Sequence, residues 1–218
     1  MVIDGPGQPE TKAGMSPNRV VLVRHGETAW STSGQHTGLT NVPLTNNGRR
    51  QATLAGSRLR GRPFAMVLSS PLARAWDTCV LAGFGDQAQP CLDLVEWDYG
   101  EYEGRTTVDI RTERPGWVLW ADGVPGGELA DDVGRRVDRV LDTIRAVDGD
   151  VVLFAHGHVL RVLAARWLGL PPSGGAMLAL SPATLSGLGW ERETPVLLRW
   201  NDAAHFEDHW WPDLAISE

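Results

Sequence analysis

Two apolar runs of this 218-residue chain end in His-Gly, as Val23-Arg24-His25-Gly26 and Phe154-Ala155-His156-Gly157. A third, Leu68-Ser69-Ser70-Pro71, is followed by Arg74. Imidazole, hydroxyl and guanidinium together make the set that a phosphate ester demands. Such an ester carries about −1.5 to −2 charge and strong acceptor oxygens, and a guanidinium takes those oxygens two at a time. The amides opening a helix after His156 would add partial positive charge. This clamp would match the equatorial oxygens of a phosphoryl group in transfer. A neutral imidazole is a nucleophile able to attack phosphorus. Close arginines penalise the protonated ring and would keep His25 uncharged.

These side chains meet only if separate elements deliver them to one place. Residues 20–23, 64–68 and 151–155 are short apolar runs of the kind buried on both faces of a sheet. Two last strands are expected at 183–190 and 195–200. Helices are expected from Asn46 to about Arg60, over 72–82 with Pro71 in the first turn, over 129–147, and from His156 through Leu168. In the third of these, Val133, Val137, Val140, Leu141 and Ile144 share one face. The alternation predicts an α/β protein, a three-layer α/β/α sandwich around a mostly parallel sheet. Open sheets of this kind bind ligands beyond the carboxyl ends of their strands. Successive strand residues face opposite ways, so Arg24 and His25 can act together only if the strand ends or bends there, which Gly26 permits. Residues 1–18 read as a disordered leader, and 19–218 as one domain with a less regular cap over 91–127.

Composition removes other classes. Twenty Lys and Arg against 27 Asp and Glu leave a net charge of −7, which disfavours nucleic acid and anionic membrane without forbidding a locally positive pocket. No apolar run approaches the roughly 20 residues of a membrane span, and the polar N-terminus does not read as a secretory signal. Cys79 and Cys91 form neither a disulfide framework nor a C-x-x-C motif; they read as free thiols of a cytoplasmic protein. The ten tryptophans suit core and cap packing better than an aromatic binding strip. His156, His158, His205 and His209 lack a third ligand at metal spacing, so neither metal nor organic cofactor is expected. His158 reads as a helix N-terminal residue, His205 and His209 as part of a polar tail, and Arg49-Arg50 as helix surface. His36 suits substrate contact or a plain loop equally well. Arg111 and Arg114 suit either solvated charge or a grip on a distal anionic group.

The run Val21 to Trp30, VLVRHGETAW, resembles the Arg-His-Gly signature of the histidine phosphatase superfamily, the phosphoglycerate mutase-like proteins. The likeness continues through Thr37-Gly38, Leu44-Thr45, Gly48, Ser69-Ser70-Pro71, Arg74-Ala75, Thr78, Glu96, Tyr99-Gly100, Glu103-Gly104 and His156-Gly157. Around 34–40 and 96–104 the chain is similar to sedoheptulose-1,7-bisphosphatases and to small actinobacterial acid phosphatases. The resemblance implies that His25 is phosphorylated in turnover and that Arg24, Arg74 and His156 hold the phosphoryl group. It implies that Thr37 and Gly38 line the phosphate entrance, with Gly157 beside the phosphoryl group and Tyr99 in the substrate wall. Ser31 stands where many relatives have Asn, and keeps one hydroxyl donor toward substrate.

An alkoxide leaves poorly, so a carboxylic acid that lends its proton helps. Glu96 and Asp98 would share a face in an extended segment, and spacing leaves both open; the resemblance implies Glu96, which Trp97 and Tyr99 would shield from water. The function expected is a phosphatase of small phosphomonoesters, sugar phosphates foremost, working through a phosphohistidine on His25. The alternatives are a phosphoglycerate mutase and a non-catalytic module binding phosphorylated ligands. Mutases of the superfamily carry a longer insertion with an Arg pair and a Lys after the acid. Here Thr107 falls near the Lys and Arg111 and Arg114 are not adjacent, which favours hydrolysis. The expected partner is a small phosphorylated metabolite, with a homodimer admitted, and rates should peak in mildly acidic to neutral medium.

Overall fold

The computed structural model describes residues 18–206. The expected leader therefore lies outside the described residues except for Asn18. That residue is buried, and its Nδ2 donates to the Ile144 carbonyl at 2.6 Å, so Asn18 itself belongs to the packed fold.

In chain order the elements are β1 (Val20–Arg24), α1 (Ala29–Ser33), α2 (Asn46–Leu59), β2 (Met66–Ser69), α3 (Ala73–Leu81), β3 (Ala88–Pro90), α4 (Thr107–Glu113), α5 (Leu119–Asp122), α6 (Ala130–Arg145), β4 (Val151–Ala155), α7 (Gly157–Trp167), β5 (Leu185–Glu191) and β6 (Thr194–Asp202). The sheet order is β3-β2-β4-β1-β5-β6. The first four strands run parallel, while β5 pairs antiparallel with β1 and β6 antiparallel with β5.

All five residues of β4 are buried, as a parallel strand covered on both faces requires. Val151, Leu153 and Ala155 pack with Val137, Leu141 and Ile144 of α6 and Leu160 and Leu163 of α7. Val152 and Phe154 pack with Ala55 and Leu59 of α2 and Cys79 of α3. Helix pairs thus cover opposite faces of one sheet, and the three-layer expectation holds.

The register brings the chemistry together. Arg24 lies beside Ala155 on the neighbouring strand, and Ser69 beside Phe154. The carboxyl ends of β4 and β1 therefore finish level and that of β2 one residue short, with His156, His25 and Ser70 each the first residue beyond.

Two local expectations change. Pro71 precedes the N-cap Leu72 of α3 and is not in the helix. Gly26 does not adopt a left-handed backbone; it is needed because a Cβ there would sit 2.3 Å from the Gly48 carbonyl oxygen.

Candidate active site

The His25 backbone N–H donates to the Ala155 carbonyl at 2.9 Å, and that of Ser70 to the Phe154 carbonyl at 2.9 Å. These bonds extend the sheet one residue and seat the two imidazoles with ring centroids 5.2 Å apart. Nδ1 of His25 lies 2.7 Å from the Gly26 carbonyl oxygen. A carbonyl only accepts, so Nδ1 carries the ring proton and Nε2 keeps a lone pair. Burial pushes the His25 pKa well below its usual value; Arg24 and Arg74 add to this, against the Gly26 hydrogen bond. His156 is lowered likewise, by burial and then by Arg74, His25 and Arg24. The ring of His25 is thus neutral, as expected, but burial is the larger cause and the arginines, the reason expected from sequence, come second.

The arginines are held differently from the simple clamp. Arg24 donates through Nη1 to the Leu180 carbonyl, and its guanidinium lies over Gly157, where a Cβ would come within 3.3 Å of Cζ and Nε. Arg74, wholly buried, donates to the carbonyls of Thr40 (2.9 Å), Thr37 (3.1 Å) and Gly38 (2.8 Å). Each guanidinium keeps a buried Nε without a partner, and so does Nδ1 of His156. Among the described residues five buried side-chain nitrogens lack a partner, and three of them belong to this cluster. Each such group costs about 1–3 kcal/mol, a cost that an anion bound there would relieve.

Glu96 accepts from the backbone N–H groups of Trp97 (2.9 Å), His158 (3.0 Å) and Val159 (2.9 Å). It therefore occupies the amides at the start of α7 that were expected to face phosphate. Of the first three, the Gly157 amide alone has no recorded protein partner among the described residues. Asp98 accepts from the Gly100 N–H at 2.9 Å instead, and of the two carboxylates only Glu96 lines the adjoining cavity.

A cavity of about 180 Å³ opens onto this cluster, lined by Arg24, His25, Ser31, Thr37, Glu96, Tyr99 and Gly157. Arg74, His156 and Gly38 are not among its lining residues. The Gly38 N–H donates to Glu103 and its carbonyl accepts from Arg74. Ser31 lines the cavity, but its hydroxyl accepts from the Thr28 N–H and donates to the Thr28 carbonyl, closing the cap of α1. Arg111 and Arg114 do not line it; the first donates to the Trp117 carbonyl and the second pairs with Asp122 at 3.5 Å.

Of the other lining residues, the sequence leaves His36 open and does not assign His158 and Arg161 to the site. His36 lies in the wall, its ring 4.8 Å from that of Tyr99, and burial lowers its pKa to about 4. His158 is indeed in the first turn of α7, but it also lines the cavity, and its Nδ1 is hydrogen-bonded with the Tyr99 hydroxyl at 2.6 Å. Arg161 lies over Trp120 at 4.6 Å and donates to the carbonyls of Gly175 and Ala176; burial lowers its pKa to about 10. Its helical spacing of four from Gly157 was the signal available for it.

His205 is not part of a polar tail. It is buried, and its Nε2 donates to the Ala183 carbonyl at 2.9 Å. The Ala183 N–H in turn donates to the carbonyls of Arg24 (3.1 Å) and His25 (3.0 Å). His209 lies outside the described residues. Among those residues, no three His, Cys, Asp or Glu side chains are grouped to hold a metal ion, and no helix is long and apolar enough to cross a membrane.

Residues 20–203 match the profile of the family described as histidine phosphatase superfamily (branch 1). An acid phosphatase of Mycobacterium tuberculosis is 42% identical over 182 residues, covering 82% of this chain and 89% of that protein. The sedoheptulose 1,7-bisphosphatase of Saccharomyces cerevisiae is 37% identical over 185 residues, covering 70% of this chain and 68% of that protein. A solved mycobacterial glucosyl-3-phosphoglycerate phosphatase in complex with VO3 superposes with a TM-score of 0.76 at 31% identity, over 85% of this chain and 100% of that one.

Proposed function

The chain belongs to the histidine phosphatase superfamily and is a phosphatase of small phosphorylated molecules; we propose that it hydrolyses sugar phosphates through a phosphohistidine at Nε2 of His25. The observation that carries this is the neutral imidazole, Nε2 lone pair intact, among buried donors that lack partners. In the first half-reaction Nε2 attacks phosphorus, the P–O bond to the sugar breaks, and Glu96 gives its proton to the departing alkoxide. In the second, Glu96 takes a proton from water, the hydroxide attacks phosphorus, and the P–N bond breaks to release inorganic phosphate. Arg24 Nε, Arg74 Nε, His156 Nδ1 and the Gly157 amide would take the equatorial oxygens, where charge gathers; that the three side-chain nitrogens are buried without a protein partner among the described residues supports this.

Sugar phosphates are supported by one relative whose name carries a sugar bisphosphate and a second whose name carries a glucosylated phosphoglycerate, and by a wall offering the polar groups of Thr37, His36 and Tyr99. The acidic net charge supports a small metabolite over nucleic acid as partner, and the free thiols Cys79 and Cys91 support a cytoplasmic setting.

With p-nitrophenyl phosphate, His25→Ala should lower kcat by about 1000-fold or more, as removal of a nucleophile does. Full turnover by that variant would overturn the mechanism. Ranking phosphorylated metabolites by kcat/KM tests the substrate class, with sugar phosphates expected at the top and inorganic phosphate as the product.

A further inference from the structure

We propose that the Ser70 hydroxyl sets the tautomer of His156, so that this ring meets the phosphoryl group as a neutral donor through Nδ1–H. Both residues are wholly buried, and Oγ of Ser70 lies 2.7 Å from Nε2 of His156. The same oxygen accepts from the Leu72 N–H at 3.3 Å. Among the described residues no other acceptor is recorded for the hydroxyl, so its proton is directed at His156 Nε2. A ring nitrogen that accepts carries no proton, and the neutral ring then carries it on Nδ1. That Nδ1 is the buried nitrogen without a partner.

The backbone holds this arrangement in register. The Ser70 N–H is bonded to the carbonyl of Phe154, two residues before His156, so the hydroxyl and the ring leave adjacent strand ends as one unit. Burial and the guanidiniums of Arg74 and Arg24 keep the ring uncharged. A neutral ring has two tautomers, and only one of them helps. The other would turn a lone pair toward the phosphoryl oxygens, acceptor against acceptor. Ser70 touches His156 and not the substrate, and is therefore a positioning residue.

The inference rests on the proposed reaction only for where Nδ1 points its proton; the tautomer itself is measurable without turnover. In ¹⁵N-histidine-labelled wild-type protein near pH 7, His156 should show a pyridine-like Nε2 and a pyrrole-like Nδ1. Ser70→Ala should mix the two forms. With p-nitrophenyl phosphate it should lower kcat by about 10- to 100-fold, the range seen when a partner orienting a functional histidine is removed, with little change in KM. Ser70→Thr, which keeps the hydroxyl, should restore the tautomer and most of kcat. A wild-type ring protonated on Nε2, or on both nitrogens, overturns the proposal even if the alanine variant fails to fold. Unchanged kcat in a folded Ser70→Ala overturns it as well. Retained turnover in His25→Ala would sink the proposed reaction and leave the tautomer result standing.

Discussion

An imidazole attacks phosphorus only from its unprotonated state, and the site secures that state chiefly by withholding water. His25, His156 and His158 are all pushed well below the ordinary histidine range, burial being the largest cause for each and nearby arginines adding to it. This has a consequence for stability. A histidine whose native pKa is lowered binds its proton more readily in the unfolded chain, so as pH falls through about 6.5 the unfolded state gains protons that the native state refuses. Stability is whole above that value and declines below it. For His36 the decline continues to about pH 4 and, at about 1.4 kcal/mol per pH unit, amounts to about 3 kcal/mol. The melting temperature should therefore fall steadily from pH 7 to pH 4 and change little from pH 7 to 8. A flat profile in calorimetry across the acid range would contradict this reading. Turnover should persist below pH 6.5, where an ordinary imidazole would be charged.

Among the elements, the turn between β1 and α1 is where small size matters most. Glu27 accepts from the hydroxyl of Thr45 (2.6 Å) and from Asn47 (3.0 Å), while its own N–H donates to Gln51 (2.9 Å). The residue after the His25-Gly26 pair is thereby bound to the start of α2. The approach is close enough that a Cβ on Gly48 would lie 2.1 Å from the Glu27 carbonyl oxygen. Gly48→Ala should destabilise by about 1–3 kcal/mol through this overpacking, outweighing alanine's better helix propensity, and should lower kcat by displacing His25. Urea unfolding alongside steady-state rates would check it; an alanine variant as stable and active as the parent would show that the contact yields freely. The long helices and the central strands were legible from their periods. β3 was not, because three residues ending in Pro90 carry no alternation and Pro belongs at such an edge. The single turn of α1 is made by Thr28 and Ser31 capping each other, a signal too short to separate from loop.

For the molecule as a whole, the irregular segment around Glu96 is tied to the helical layer by a buried cation. Arg136 of α6 donates to the carbonyls of Asp93 (2.8 Å), Val95 (2.7 Å) and Glu96 (3.1 Å) and forms a two-pronged pair with Glu128. Glu128 in turn accepts from the Asp98 N–H at 2.9 Å. The segment carrying Glu96 is thus held from behind by a helix whose first residue is 34 positions further along the chain. Arg136→Met should cost about 3–5 kcal/mol, because it strands a largely buried carboxylate. It should reduce kcat more than it raises KM, since Glu96 loosens while the phosphoryl donors remain. Equal stability of variant and parent in urea, within about 1 kcal/mol, would show the pair to be dispensable.

Sequence alone determined the sandwich and the strand ends at which His25 and His156 meet, because periods of two and 3.6 and abrupt apolar-to-polar exits are local properties of a chain. Tertiary structure decided which carboxylate faces the cavity, that Glu96 and not phosphate takes two helix amides, that the guanidiniums are anchored on carbonyls, and that His36, His158 and Arg161 complete the wall. It also brought His205 back to brace the turn behind His25. Each of these depends on hydrogen bonds between residues far apart in the chain or on side-chain direction in irregular segments, and neither leaves a repeat in the sequence that spacing can read.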